Sequence, residues 1–155
     1  MKPLEAIVLS KTFSSTVSAL AFEGAVGCGA VATGGNSGTP VHVTTLADWG
    51  AGSFRDVVSQ PNRIIVFDVG GYIRLDSAIS LSSNLTVNGQ SAPGNGVGIM
   101  GAEVSASSRG NIIIRHLWMR QGTLDPNTGS SAFDMGKTAN IILDHCCRIR
   151  SIGLD

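Results

Sequence analysis

Residues 111–119, NIIIRHLWM, and residues 140–149, NIILDHCCRI, share the form that decides the fold, an asparagine followed by a run of apolar residues. A third copy, NLTV, occupies residues 84–87. The three asparagines are 27 and 29 residues apart (111 − 84 and 140 − 111). Periods of about 20–50 residues are typical of solenoids, in which each repeat supplies the same element to the next layer. The spacing predicts that Asn84, Asn111 and Asn140 stack in register.

The other apolar segments are also of strand length and rich in Ile and Val. They are VHVTTL (41–46), RIIVFDV (63–69), YIRL (72–75) and VGIM (97–100). Only residues 52–59, GSFRDVVS, have helical spacing, which predicts one short helix. The connections are too long for tight hairpins and contain no crossover helices. We therefore expect an all-β coil of parallel strands whose outward residues form a flat face suited to a long polymer.

Composition excludes several classes of function. The 155 residues include 11 Lys and Arg and 11 Asp and Glu, with no run of like charge, so we expect no nucleic-acid-binding surface. No segment approaches the roughly 20 apolar residues of a membrane span, so we expect no membrane insertion. The three cysteines, Cys28, Cys146 and Cys147, are odd in number and two are adjacent, which predicts free thiols.

The first 21 residues have features of a signal peptide. Lys2 supplies a positive start, and Ala19-Leu20-Ala21 is a small-x-small pattern that predicts cleavage before Phe22. Glu5 and Lys11 interrupt the apolar stretch between them. We interpret residues 1–21 as a leader and residues 22–155 as the domain, and we expect a secreted or periplasmic protein.

Two motifs invite functions that their contexts oppose. Residues 27–32, GCGAVA, fit the dinucleotide fingerprint G-x-G-x-x-A, but the glycines and proline of residues 34–40 exclude the helix that such a site needs, so no cofactor-binding residue is assigned. Residues 144–147, DHCC, look like a metal cluster. Alternation along a strand would point Asp144 and Cys146 to one face and His145 and Cys147 to the other, so we expect no shared ion.

Six blocks resemble, in order, the pectate lyases and their relatives of polysaccharide lyase family 1. They are FEGAVGCGA (22–30), VHVTTL with GAGSFR (41–46 and 50–55), RIIVFDVGGYI (63–73), NGQSAPG (88–94), NIIIRHLWMR (111–120) and NIILDHC (140–146). The third block is the most specific, being similar to the family's RIVVFDVSGTI. The resemblance covers residues 22–146 and implies a right-handed parallel β-helix.

The resemblance also implies an activity, the calcium-dependent β-elimination of an acidic, pectate-like polysaccharide. The family's base is an arginine in an R-x-P-x-x-R pattern, which occurs nowhere in these 155 residues, so no catalytic residue is assigned. Arg115 and Arg120 match arginines of the family's RYIRFR block, and we expect them to pair or cap on a strand surface. Beyond Cys146 the likeness ends. We therefore expect the chain to be the N-terminal part of the domain, with a β-helix that is incomplete at its C-terminal end.

Calcium is the cofactor that the resemblance implies. The family's ligand aspartate aligns with Ser131. Asp134 and Asp125 lie nearby and are the candidate calcium ligands, because calcium prefers carboxylate and other oxygen ligands.

Two functions remain open. In the first, the chain is an inactive fragment of a secreted polysaccharide lyase. In the second, it is a non-catalytic β-helix module that binds polysaccharide or has a structural role. In either case, unpaired strand edges in the last coil predict self-association through residues 140–155.

Overall fold

A computed structural model describes residues 19–120 and 131–149, apart from the side chains of residues 148 and 149. The elements in these residues are β1 (Thr39–Val43), α1 (Phe54–Val58), β2 (Arg63–Phe67), β3 (Gly71–Arg74), β4 (Ile79–Ser80), β5 (Leu85–Asn88), β6 (Val97–Met100), β7 (Val104–Ser105), β8 (Gly110–Arg115), β9 (Leu117–Arg120), β10 (Phe133–Asp134), β11 (Ala139–Asp144) and β12 (Cys147–Ile149). A short 3-10 turn occupies Gly89–Ser91.

The strands form three parallel sheets. Sheet A has the order β1-β2-β5-β8-β11, sheet B the order β3-β6-β9-β12, and sheet C the order β4-β7-β10. Each strand pairs with its equivalent one coil away, so the chain winds through sheets A, B and C in turn for about four turns. The prediction of an all-β parallel solenoid is confirmed. No helix in the described residues has the length and apolarity to cross a membrane.

An asparagine column marks the start of sheet A. Leu85 pairs with Ile112 and Ile112 with Ile141, which places Asn84, Asn111 and Asn140 in register, as the spacing predicts. Asn62 extends the column by one coil, and all four have left-handed φ angles of 53–60°. Amide side chains link the coils, because Nδ2 of Asn84 donates to Oδ1 of Asn62 at 3.0 Å and Nδ2 of Asn111 donates to Oδ1 of Asn84 at 2.8 Å.

Two of the predicted strands are each divided by a corner. Residues 111–119 and 140–149 do not run straight, because His116 and His145 have φ angles of 52° and 51° and turn the chain from sheet A into sheet B. The prediction of one strand in each segment is therefore wrong. The two-residue strands β4, β7 and β10 were not predicted.

Inward side chains of all three sheets fill the coil. The largest fully buried ones are Phe54, Phe67, Phe133, Ile65, Ile73, Leu81, Leu85, Ile99, Ile112, Ile114, Leu117 and Met119. Stacking of equivalent residues from successive coils builds one continuous core. The predicted helix is confirmed as α1, which is capped by the Ser53 side chain and stacks Phe54 on Phe67 at 5.9 Å.

Residues 19–38, the N-terminal strap, contain turns and no helix among the described residues and run along the outer face of sheet A. A Cβ on Gly29 would overlap the carbonyl oxygen of Ile141, and one on Gly35 would overlap that of Arg63. Gly29 of the GCGAVA motif and Gly35 thus permit close backbone contact between the strap and the sheet. The predicted leader lies almost entirely outside the described residues.

Asn111 is the best-connected residue of the column and should stabilise the coil most. Its Oδ1 accepts from the backbone nitrogen atoms of Thr33 (2.7 Å) and Gly34 (3.1 Å), which attaches the N-terminal strap to sheet A. We expect Asn111→Ala to lower the free energy of unfolding by about 2–3 kcal/mol, from lost hydrogen bonds and a left-handed φ that alanine disfavours.

Asn140→Ala is the matched control. Asn140 has the same backbone conformation, but it is exposed and makes no side-chain hydrogen bond to the described residues. Urea denaturation should show a loss of only about 1 kcal/mol for this variant. Equal losses of stability in the two variants would mean that the side-chain hydrogen bonds of Asn111 contribute nothing to the free energy of unfolding.

Candidate functional site

The outer face of sheet B presents two columns of side chains. Tyr72, Gly98 and Trp118 form an aromatic column, because Tyr72 pairs with Gly98 and Gly98 with Trp118. Two positions further along each strand, Arg74, Met100 and Arg120 form a basic column. The residues between the columns point into the core, since strand neighbours alternate.

Gly98 brings the two aromatic rings together. A Cβ at this position would lie 2.6 Å from Cε1 of Tyr72 and 3.3 Å from Cβ of Trp118. Without it, the rings approach to 6.1 Å between centroids at an interplanar angle of 39°. Two side chains from strands that do not pair with each other thus form one apolar surface.

Arg120 lies beside this surface. Its Cζ is 5.6 Å from the ring centroids of both Tyr72 and Trp118, within the range of cation–π attraction. Among the described residues, neither Arg120 nor Arg74 forms an ion pair with a carboxylate. The basic column is therefore exposed positive charge next to the exposed ring of Tyr72 and the half-buried ring of Trp118, the combination that suits a ligand with both apolar faces and carboxylates.

A loop between sheets A and B bounds the aromatic column. Residues 93–96 and the Gly70–Gly71 turn, together with Tyr72 and Trp118, line a cleft of about 640 Å³. The loop is held to the coil by the backbone bond from Gly71 N to Gly96 O at 2.9 Å. The NGQSAPG block thus forms one wall of the cleft.

A second polar group lies at the corner where β8 and β11 end. Asp144 accepts from Arg115 Nε through Oδ2 at 2.7 Å and contacts His145 Nδ1 through Oδ1 at 2.8 Å. The ring of His145 stacks on that of His116, with centroids 4.7 Å apart and an interplanar angle of 13°. The expectation that Asp144 and His145 point to opposite faces is wrong, because the left-handed turn at His145 ends the alternation.

Pairing or capping was predicted for both matched arginines. Arg120 forms no ion pair among the described residues, whereas Arg115 does. Its guanidinium pairs with Asp144 and lies 4.2 Å from the centroid of the Phe22 ring.

The adjacent cysteines lie in different environments. Cys147 is exposed, whereas burial raises the pKa of the Cys146 thiol. All three cysteines are free, which confirms the predicted thiols.

The pKa of the Asp144 carboxyl lies below its ordinary value of 3.8. Partial burial raises this pKa, but hydrogen bonds and charges from Arg115 and His145 outweigh burial. A carboxyl whose pKa is lower in the folded state stabilises the fold above its unfolded pKa, and this contribution is lost as the pH falls through the folded value.

We therefore expect the stability difference between the wild type and Asp144→Asn to shrink as the pH falls below about 4. Urea denaturation of both proteins across the acid range measures this difference in stability. Arg115→Gln should raise the pKa of Asp144 in a carboxyl NMR titration. An unchanged titration in that variant would contradict the assigned cause.

Asp134 is the predicted calcium ligand that the structure describes. Asp134 Oδ1 accepts from the backbone nitrogen of Gly136 at 3.0 Å and Oδ2 from the hydroxyl of Ser105 at 3.2 Å, which are the contacts of a turn residue. Asp125 lies outside the described residues. Sequence analysis missed Glu103, whose Oε2 accepts from Ser131 N at 3.1 Å and so lies beside position 131.

Known proteins share both sequence and fold with this chain. Probable pectate lyase C of Emericella nidulans is 39% identical over 146 residues, which cover 94% of this chain and 34% of the relative. Probable pectate lyase C of Aspergillus fumigatus is 41% identical over 147 residues, covering 94% and 35%. The chain is homologous to part of these pectate lyases. It spans about a third of their length.

The fold agrees with a solved structure. The crystal structure of Jun a 1, the major allergen from cedar pollen, superposes with a TM-score of 0.61 over 78% of this chain and 41% of that one, at 18% identity. No protein-family model matches the chain. The pectate lyase relationship therefore rests on the curated relatives, and the structural match supports the coil.

Proposed function

We propose that this chain binds an acidic, pectate-like polysaccharide along the outer face of sheet B. The observation that carries the proposal is the pairing of the aromatic column with the basic column. Sugar rings have apolar faces that stack on aromatic side chains, and the carboxylates of uronates suit the planar donors of arginine. The ligand class agrees with the name of the curated relatives.

The spacing of the coil suits a polymer. Successive strands lie about 4.8 Å apart, so the backbones of Tyr72 and Trp118, two strands apart, are separated by roughly the length of two sugar units, although their rings lean together to 6.1 Å. Arg74 and Arg120 are separated in the same way, with Met100 between them. A chain of uronates lying across the strands would place rings over one column and carboxylates over the other.

For the whole protein, we propose secretion and the calcium-dependent β-elimination of this polysaccharide. Calcium would acidify the proton beside the uronate carboxylate. The chain itself is proposed to be inactive, because R-x-P-x-x-R is absent from its sequence and serine occupies position 131. No step is assigned to Asp134.

The second candidate function is a binding module that never cleaves. The same two features, Ser131 and the missing arginine pattern, favour it. Mixing the chain with polygalacturonate and calcium, and following the absorbance of the unsaturated product, tests catalysis. An increase in absorbance that is abolished when calcium is chelated would refute the proposed inactivity. Binding of the polymer without product agrees with both candidates.

Trp118→Ala and Arg120→Gln should each weaken binding to polygalacturonate about tenfold, equivalent to ~1.4 kcal/mol. The first removes a stacking surface and the second a charge-assisted contact. Isothermal titration calorimetry measures both. Binding through Arg120 should also weaken with added salt, which screens exposed charges.

Two matched controls test the location. Trp49 is 61% exposed, stacks with Arg55 and belongs to neither column of sheet B, and Arg109 is exposed on the turn that leads into β8. Trp49→Ala and Arg109→Gln should bind like the wild type. If these controls weaken binding as much as the sheet B variants, the ligand does not lie on this face.

A further inference from the structure

The corner cluster, His116, Asp144 and His145, contributes no residue to the two columns of sheet B, although both histidines line a cleft together with Trp118. In the described residues, His116, Asp144 and His145 are the one group of three His, Cys, Asp or Glu side chains that could hold a metal ion, with ligand atoms within 4.8 Å of one another. The fold creates this group. His116 and His145 are in register at left-handed corners, so successive coils direct both imidazoles to the same place.

We propose that His116 and His145, supported by Asp144, bind a divalent transition-metal ion such as Zn²⁺ or Cu²⁺. Imidazole nitrogen is the common protein ligand of both ions, and hard calcium would not select a pair of imidazoles. The site is separate from the calcium position implied by the resemblance. None of its three residues belongs to the aromatic column or the basic column of sheet B.

The contact between His145 and Asp144 resembles a known support for metal-binding histidines. A ligating imidazole usually donates its other ring nitrogen to a carboxylate, which fixes the ring and increases its basicity. His145 Nδ1 lies 2.8 Å from Asp144 Oδ1, which leaves Nε2 of the same ring for an ion. Arg115 holds the other carboxylate oxygen at 2.7 Å and keeps Asp144 in position.

Metal binding requires a small movement. Tetrahedral ligands at about 2.0–2.1 Å from zinc are roughly 3.4 Å apart, closer than the stacked rings allow, and an ion must lie near the plane of each imidazole. One ring must therefore turn. His145 can do so, because its side chain is 67% exposed, whereas His116 is half-buried. The guanidinium of Arg115 opposes a cation, so we expect a modest affinity.

Calorimetric titration with Zn²⁺ tests the proposal, and electron paramagnetic resonance of the Cu²⁺ complex counts the nitrogen ligands. Because exposed Cys28 and Cys147 could bind these ions, the background should be Cys28→Ser with Cys147→Ser. His116→Asn and His145→Asn should each weaken binding about tenfold or more. Asparagine tolerates the left-handed backbone at both positions, and circular dichroism checks the fold.

His42→Asn is the matched control. His42 is the remaining histidine of the chain. Its Nδ1 contacts Asp68 Oδ1 at 2.7 Å, but no second imidazole stacks on it among the described residues. This variant should retain wild-type affinity and two-nitrogen coupling. The proposal is overturned if Zn²⁺ fails to bind the folded background protein, or if His116→Asn and His145→Asn bind like His42→Asn.

Discussion

The structure depends on one constraint: equivalent positions of successive coils must each adopt a left-handed backbone conformation. Asn62, Asn84, Asn111 and Asn140 hold it at the start of sheet A. A shift of one residue at such a corner would turn every inward side chain of the next strand outward. The corner residues therefore keep the core in register, and hydrogen bonds between the side chains of Asn62, Asn84 and Asn111 link neighbouring coils at the corner itself.

The same register that stacks the core also assembles the surface. Tyr72, Gly98 and Trp118 come from three successive coils, and each coil supplies one position to the column. Gly98 contributes by having no side chain, since the two rings meet above it. In a parallel coil, a binding surface of several residues can thus arise from single positions that are far apart in sequence, provided that the corners remain in register.

Sequence was sufficient for the fold because its main signal is periodic. The asparagine spacing and the apolar runs predict the parallel coil, and the short helix follows from its own spacing. Sequence could not show the two-residue strands, which are too short to carry a period. It also failed at His145, where alternation was assumed through a corner. Glu103 was missed because only the three-dimensional register places it beside Ser131.

The two polar regions near Trp118 differ in how their charge is balanced. At the corner, Arg115 pairs with Asp144, so this positive charge is neutralised locally. On sheet B, Arg74 and Arg120 have no carboxylate partner among the described residues. The chain has equal numbers of basic and acidic residues, so net charge cannot attract a polyanion. In the proposed function, the attraction therefore comes from the local charge of sheet B, whereas the imidazoles of the corner suit a different ligand.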